Sequence, residues 1–166
     1  SAIIGAAVFN SSGEFLAEPV VSFVYADQLA PGETAGFYMV FTAAKSITGD
    51  LSWVNSGFGN IEFYRYGGSD DTPRDTGLHI VVDNGATTGN GNYSVSGVVL
   101  NRGTKYPEKS FVAGTFYDSQ GKVIAVGLSN YMTRYLAPNN VSEFTVGLYD
   151  APANIGNQIA SYSLRV

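Results

Sequence analysis

Cysteine is absent from the 166-residue chain, and histidine and tryptophan each occur once, at His79 and Trp53. Without cysteine the chain has no disulfide framework, no thiolate nucleophile and no sulfur ligand for a metal. A single histidine also excludes a metal site built from several histidines. We expect His79 to be a structural residue at the start of a strand, beside Ile80 and Val81.

Charge is scarce as well: charged residues make up 14% of the chain, and the net charge is −5. No cluster of Lys and Arg is present, so nucleic acids and anionic membrane surfaces are poor partners, because phosphate binding needs concentrated positive charge. No apolar run approaches the roughly 18 residues that a membrane span requires. The low Lys content, the many Tyr, Ser, Asn and Gly residues and a pI near 4.6 favour an extracellular or cell-surface protein.

Short apolar stretches bounded by turn residues fill most of the chain, and helical periodicity is missing. Within 144–148, for example, Phe144, Val146 and Leu148 occupy alternate positions, which is typical of a strand with one buried face. The pattern predicts about eleven strands and an all-β, antiparallel fold, since a parallel sheet would need crossover helices.

The chain contains an internal repeat. The segment 5–17, "GAAVFNSSGEFLA", returns as 113–125, "AGTFYDSQGKVIA", and Leu29-Ala30-Pro31 returns as Leu136-Ala137-Pro138. The repeat predicts two immunoglobulin-like sandwiches in tandem, over 1–66 and 78–166, joined by a linker over 67–77. At the end of the repeat Ile61 aligns with Ile159, which gives the first copy a nine-residue insertion within 44–59.

The two copies are not equally complete. The second copy begins with two strands, within 78–100, that have no counterpart in the first copy. Losing one such strand removes on the order of 5–9 kcal/mol of apolar burial, which is comparable with the stability of a whole domain. The sequence therefore predicts that the first copy is completed by a strand from a neighbouring chain or from residues upstream of Ser1. The predicted donor is the segment Leu78, His79, Ile80, Val81 and Val82.

The second copy also carries motifs of a known family. They are the strand and turn V-x-G-x-V-x-N-x-G over 95–103, a "fYDxxGkvv" hairpin over 116–124, and an "l-x-P…F" approach over 136–144. With these motifs the segment 78–166 resembles the FxLYD-type immunoglobulin-like domains of bacteria and archaea, and 1–66 resembles them weakly. The resemblance implies a noncatalytic sandwich in secreted or cell-surface proteins, and it supplies no functional residues.

Acidic side chains gather in the linker, where Asp70, Asp71 and Asp75 could offer oxygen ligands to Ca²⁺. Their spacing fits no calcium loop, so a solvated linker is the favoured interpretation and no cofactor is expected. Asp75-Thr76-Gly77 spells the aspartic-protease triplet, but that chemistry needs two such carboxylates and the chain has one copy. We therefore expect no enzymatic activity.

Two further sets of residues suggest surface roles. Asn10, Asn92 and Asn140 begin Asn-x-Ser sequons in or beside turns and are candidate glycosylation sites. Tyr64 and Tyr66 alternate with Ile61 and Phe63, which gives one strand apolar bulk on both faces. Together with Trp53, these two tyrosines are the predicted interface aromatics.

The core predicted for the second copy comprises the apolar residues of its strands. They are Ile80, Val98, Leu100, Phe116, Ile124, Leu136, Phe144, Val146, Leu148, Tyr162 and Leu164.

Two functions from different classes fit this sequence. One is a structural subunit of a surface array or filament, assembled with other copies of itself by β-strand donation. The other is an accessory module that binds protein or carbohydrate within a longer secreted protein. The doubly apolar strand around Tyr64 favours the first.

Overall fold

The computed structural model describes residues 4–19, 21–24, 32, 34–42, 46, 49, 52–56, 59–65, 77–107, 110–129, 136–148 and 151–166. The chain divides into two compact units, Ser1–Thr72 (unit 1) and Pro73–Val166 (unit 2). Residues 66–76, which include nearly all of the predicted linker, lie outside the described residues. None of the helices in the described residues has the length and apolar character needed to span a bilayer.

The described residues of unit 1 form five strands and one short helix. They are β1 (Ile4–Phe9), β2 (Phe15–Ala17), β3 (Val21–Val24), β4 (Phe37–Val40), α1 (Ser52–Ser56) and β5 (Asn60–Arg65). One antiparallel sheet has the order β2-β1-β5, and β3 and β4 form a second antiparallel pair. Within the described residues of unit 1, the core consists of the buried Val8, Ala17 and Trp53. Leu16, Phe41 and Ile61 pack against them.

The described residues of unit 2 form one continuous sheet of six strands. The elements are β6 (Leu78–Thr87), β7 (Tyr93–Asn101), β8 (Ala113–Tyr117), β9 (Val123–Ser129), β10 (Val141–Leu148), a 3-10 helix (Ile155–Gln158) and β11 (Ser161–Arg165). The order is β11-β8-β9-β10-β7-β6, antiparallel throughout. The sheet curls into a nearly closed barrel, and the Tyr162 hydroxyl on β11 donates a hydrogen bond to Asp83 on β6. The predicted all-β, antiparallel architecture is confirmed.

The core of unit 2 confirms most of the predicted inward residues. The buried cluster consists of Leu78, Val95, Val99, Val112, Phe116, Leu136, Phe144 and Val146. Four other predicted core residues, Ile80, Leu148, Tyr162 and Leu164, are partly buried and pack against this cluster.

Three predicted core positions are wrong: Val98, Leu100 and Ile124. The buried positions on β7 are Val95, Val99 and Asn101, so Val98 and Leu100 lie on the opposite face of the strand. Because residues 98, 99 and 100 are all apolar, either face of β7 could be the buried one. The inward face also contains the polar Asn101, whereas an apolar residue is expected at a buried position. On β9 it is Ala125 that packs against the core, because a bulge between Phe116 and Tyr117 shifts the register of that strand.

The repeated hairpin has the same hydrogen bonds in both units. In unit 1 the Asn10 Oδ1 accepts hydrogen bonds from the backbone N–H groups of Ser12 and Glu14, each at 2.9 Å. In unit 2 the Asp118 Oδ1 accepts from Gln120 and Lys122, at 2.8 and 2.9 Å. Both turns close with a glycine at positive φ, 81° at Gly13 and 77° at Gly121, where other residues are strained.

Strand pairing is repeated as well. Val8 pairs with Ala17 beside a register shift that leaves Leu16 of β2 as the extra residue, and Phe116 pairs with Ala125 beside the equivalent shift, at Ile124 of β9. Ser22 on β3 pairs with Met39 on β4, and at the matching positions Ser129 pairs with Val146. The pairings β1–β2, β3–β4 and β1–β5 of unit 1 therefore correspond to β8–β9, β9–β10 and β8–β11 of unit 2.

The last of these pairings corrects the alignment at the end of the repeat. Ile61 pairs with Val8, and the residue that pairs with Phe116 is Tyr162, so Ile61 corresponds to Tyr162 and not to Ile159. Equivalent residues lie 107 positions apart at Phe37 and Phe144 but 101 apart at Ile61 and Tyr162. The insertion in the first copy is thus six residues long, not nine.

Candidate functional site: the open edge of unit 1

The two units differ at one strand edge. In unit 2, β10 lies between β9 and β7. Its counterpart in unit 1 is β4, which among the described residues has a single strand neighbour, β3. The described part of unit 1 thus contains no equivalent of β7 or of β6.

Two phenylalanines of unit 1 are exposed at positions that are buried in unit 2. Phe144 on β10 is 5% exposed in the core, whereas its counterpart Phe37 on β4 is 40% exposed. Leu164 on β11 packs against the core of unit 2, whereas its counterpart Phe63 on β5 is 56% exposed. Phe63 pairs with Ala6, which is buried, so this exposure is on the inward face of the sheet.

Phe37 and Phe63 contact each other. Their ring centroids are 5.5 Å apart, with an edge-to-face angle of 70°, a favourable aromatic geometry. The contact brings the β3–β4 pair and the β1–β5 pair together at one apolar surface. We call these two residues, with the adjacent edge of β4, the acceptor edge.

The structure separates the predicted interface aromatics. Tyr64 is exposed, and its ring lies against Gly5, where a Cβ would collide with it. Trp53 is 8% exposed and packs edge to face with Phe41, at 6.1 Å between ring centroids, so we assign it to the core of unit 1 and correct its prediction as a surface aromatic. Tyr66 lies outside the described residues.

The sequence interpretation missed Phe37 and Phe63 as site residues. A signal for Phe37 was available, because the repeat aligns it with Phe144 on a strand whose partner has no counterpart in the first copy. The match of Phe63 with Leu164 depends on the corrected strand register, which the sequence alone did not provide.

The predicted donor segment forms the first half of β6. Leu78 is buried in the core of unit 2, Ile80 is partly buried, and His79 is exposed. A bulge between Ile80 and Val82 interrupts the pairing with β7, and both Val81 and Val82 are exposed. In this structure the segment is therefore paired within its own unit.

The three sequons lie in or beside turns. Asn92 and Asn140 are exposed, whereas the side chain of Asn10 is half-buried and its Nδ2 donates to Glu14 at 2.7 Å. Glycosylation at these positions stays a prediction.

Polar chemistry in the described residues is sparse. They contain no group of three His, Cys, Asp or Glu side chains placed to hold a metal ion. The candidate calcium ligands Asp70, Asp71 and Asp75 lie outside the described residues.

A shallow depression at the tip of the β1–β2 hairpin is lined by Phe9, Asn10, Ser11, Gly13, Gly59, Asn60 and Glu62. Glu62 is the one carboxylate in this lining, so the depression lacks the pair of acids that glycosidase chemistry uses.

Comparisons with protein-family models, with curated proteins and with solved structures found no match to this chain.

Proposed function

We propose that this protein is a noncatalytic extracellular structural module, a subunit of a surface array or filament. Its first unit is completed by a β-strand donated by a neighbouring chain. The observation that carries the proposal is the exposure of Phe37 and Phe63 at positions whose counterparts in unit 2 lie in the core.

The energetics of the acceptor edge support strand addition. Full burial of a phenylalanine side chain is worth about 1.5–3 kcal/mol, and covering the exposed 40% of Phe37 and 56% of Phe63 gains roughly half of that for each. An added strand also gains main-chain hydrogen bonds along β4. An exposed apolar sheet edge is a liability that natural proteins usually cover or block. Strand addition would cover the exposed phenylalanine rings and the unpaired main-chain groups of β4 together. This mode of recognition recurs among assembling proteins.

We further propose that both units are copies of one immunoglobulin-like fold of the FxLYD type. The inward residues of β7, Val95, Gly97, Val99 and Asn101, occupy the fixed positions of the motif that carries this resemblance. The repeated hairpin and strand pairings support a common origin for the two units. The composition and the exposed sequons at Asn92 and Asn140 support an extracellular location.

Two variants of matched exposure test the proposal. Phe37 and Phe15 are each 40% exposed in unit 1, but Phe15 lies on β2 and packs against Phe9, away from β4. We expect the full chain either to self-associate or to capture an added peptide of alternating apolar residues. Phe37→Asp should abolish the self-association or the peptide capture, whichever the unmodified chain shows. Phe15→Asp should leave that process unchanged.

Sedimentation equilibrium measures self-association, and hydrogen exchange of the β4 amides detects a captured strand. Equal loss of assembly in both variants would show that Phe37 has no special role. A chain that stays monomeric at high concentration and protects no β4 amide in the presence of peptide contradicts the proposal.

A further inference from the structure

We infer that the strand completing unit 1 carries the pattern V-x-G-x-V, runs antiparallel to β4 and places its glycine opposite Phe37. We infer also that it comes from a segment other than the β6–β7 pair of a second copy. Both statements rest on the proposed function, because they specify which strand the acceptor edge takes.

The register follows from unit 2. On β7 and β10, Phe144 pairs with Gly97, Val146 pairs with Val95, and Ser142 pairs with Val99. The residues of unit 1 that correspond to Phe144, Val146 and Ser142 are Phe37, Met39 and Ala35. A strand that completes unit 1 as β7 completes unit 2 therefore places glycine at Phe37 and apolar residues at Met39 and Ala35.

The glycine makes room for two neighbours in unit 2. A Cβ built on Gly97 would collide with the backbone oxygen of Val82 on β6 and would lie 2.6 Å from Cζ of Phe144, so the ring occupies part of the space of the missing side chain. Phe37 brings the same ring to the same register position on β4. A larger residue opposite Phe37 must displace that ring, which is why the site discriminates among strands by this one position.

The chain contains one strand with the required pattern, and this fact limits the possible source of the donor strand. The pattern V-x-G-x-V occurs once in the sequence, at Val95, Gly97 and Val99, and unit 2 already uses it. Donation of β6 and β7 to a neighbour would open β10 in the donor as β4 is open in the acceptor. Such an exchange closes β4 in the acceptor chain but opens β10 in the donor chain, so one edge always stays open. We therefore assign the donor strand to an additional segment that carries the V-x-G-x-V pattern.

A peptide of residues 93–101 of this chain, YSVSGVVLN, is the probe. A second peptide carrying Gly97→Val is its control, and fluorescence anisotropy with the full-length chain measures both affinities. We expect the glycine peptide to bind at least about tenfold more tightly, because valine adds an isopropyl group that overpacks the site. We also expect it to protect the amides of 37–40 from hydrogen exchange.

A variant chain links this preference to the ring. In Phe37→Ala the two peptides should bind with similar affinities, because the ring that excludes a side chain is gone.

Each outcome separates the inference from the proposed function. Equal binding of both peptides to the unmodified chain, with protection of 37–40, would keep strand addition and overturn the glycine rule. Absence of binding by either peptide, in a chain that also does not self-associate, would overturn both. Protection confined to β10 of unit 2 would show exchange with the resident β7 and would overturn the assignment to unit 1. A chain whose β4 amides become protected on self-association without peptide would show that a second copy supplies the strand, and would overturn the external donor.

Discussion

At the scale of single residues, Asn101 connects three segments of unit 2. It is fully buried, and its Nδ2 donates to the carbonyl oxygens of Lys105 and Leu136, at 2.9 and 2.8 Å. Its Oδ1 accepts from the N–H of Gly103 at 2.8 Å. The asparagine of the V-x-G-x-V-x-N-x-G motif thus satisfies three backbone groups at buried and part-buried positions, which an apolar side chain could not do.

Replacing Asn101 with alanine should lower the free energy of unfolding of the full chain by about 3 kcal/mol, at roughly 1 kcal/mol for each lost hydrogen bond. Asn84→Ala, at an exposed position of β6, is the matched control and should be nearly neutral. Urea unfolding followed by circular dichroism measures both. A loss below 1 kcal/mol for Asn101→Ala would show that water replaces these bonds.

At the scale of the elements, the barrel of unit 2 is closed by side chains at the seam between β6 and β11. Tyr162 donates its hydroxyl proton to Asp83 and packs against Tyr93 and Phe116, with ring centroids 6.3 and 6.4 Å away. The hydrogen bond to Asp83, followed by burial and the charge of Asp83, raises the pKa of Tyr162 from 10.0 to about 12. The seam therefore depends on a protonated tyrosine.

Alkaline pH should weaken this seam. Because the pKa is higher in the folded state, the contribution is fully present below pH 10.0 and is lost as pH rises through about 12. In Tyr162→Phe, the loss of stability that comes from ionisation of Tyr162 between pH 10.0 and about 12 should be absent. Tyr117→Phe, which removes another tyrosine hydroxyl bonded to a neighbouring strand at Ser163, is the control and should retain it. Thermal unfolding at a series of pH values compares the three proteins, and parallel curves for all of them would contradict the seam's dependence on Tyr162.

At the scale of the whole molecule, the described residues of the two units share one set of strand pairings, but only in unit 2 does the strand equivalent to β4 have a second neighbour. Unit 2 surrounds Phe144 with the resident β7, while unit 1 presents Phe37 at the open edge of β4. Equivalent residues in the two units should therefore differ in their contribution to stability.

Truncation of these two residues measures the difference. Phe144→Ala should destabilise unit 2 by about 3–5 kcal/mol, because it leaves a cavity in a packed core. Phe37→Ala should destabilise unit 1 by less than about 1 kcal/mol in the absence of a donor, because solvent already reaches the ring. Hydrogen exchange of each unit within the intact chain resolves the two effects. Similar losses at both positions would show that unit 1 is already complete.

The sequence by itself did not predict helix α1 (Ser52–Ser56), but it determined most of the strands, the antiparallel class and the repeated hairpin. These depend on alternation within short windows and on local turn chemistry, such as an Asn or Asp acceptor followed by a glycine at positive φ. Comparison of the two copies was also enough to predict that the first lacks strands equivalent to β6 and β7.

Only the tertiary structure decided which face of β7 is inward, where β5 pairs, and that unit 2 curls into a nearly closed barrel. Three consecutive apolar residues at 98–100 fit either face of a strand, and the buried Asn101 sets the choice through hydrogen bonds to Lys105 in the following loop and to the more distant Leu136. The register of β5 against β1 is likewise a long-range pairing, invisible to local pattern. That pairing brings Phe63 beside Phe37, so the acceptor edge exists only once strands far apart in sequence have paired.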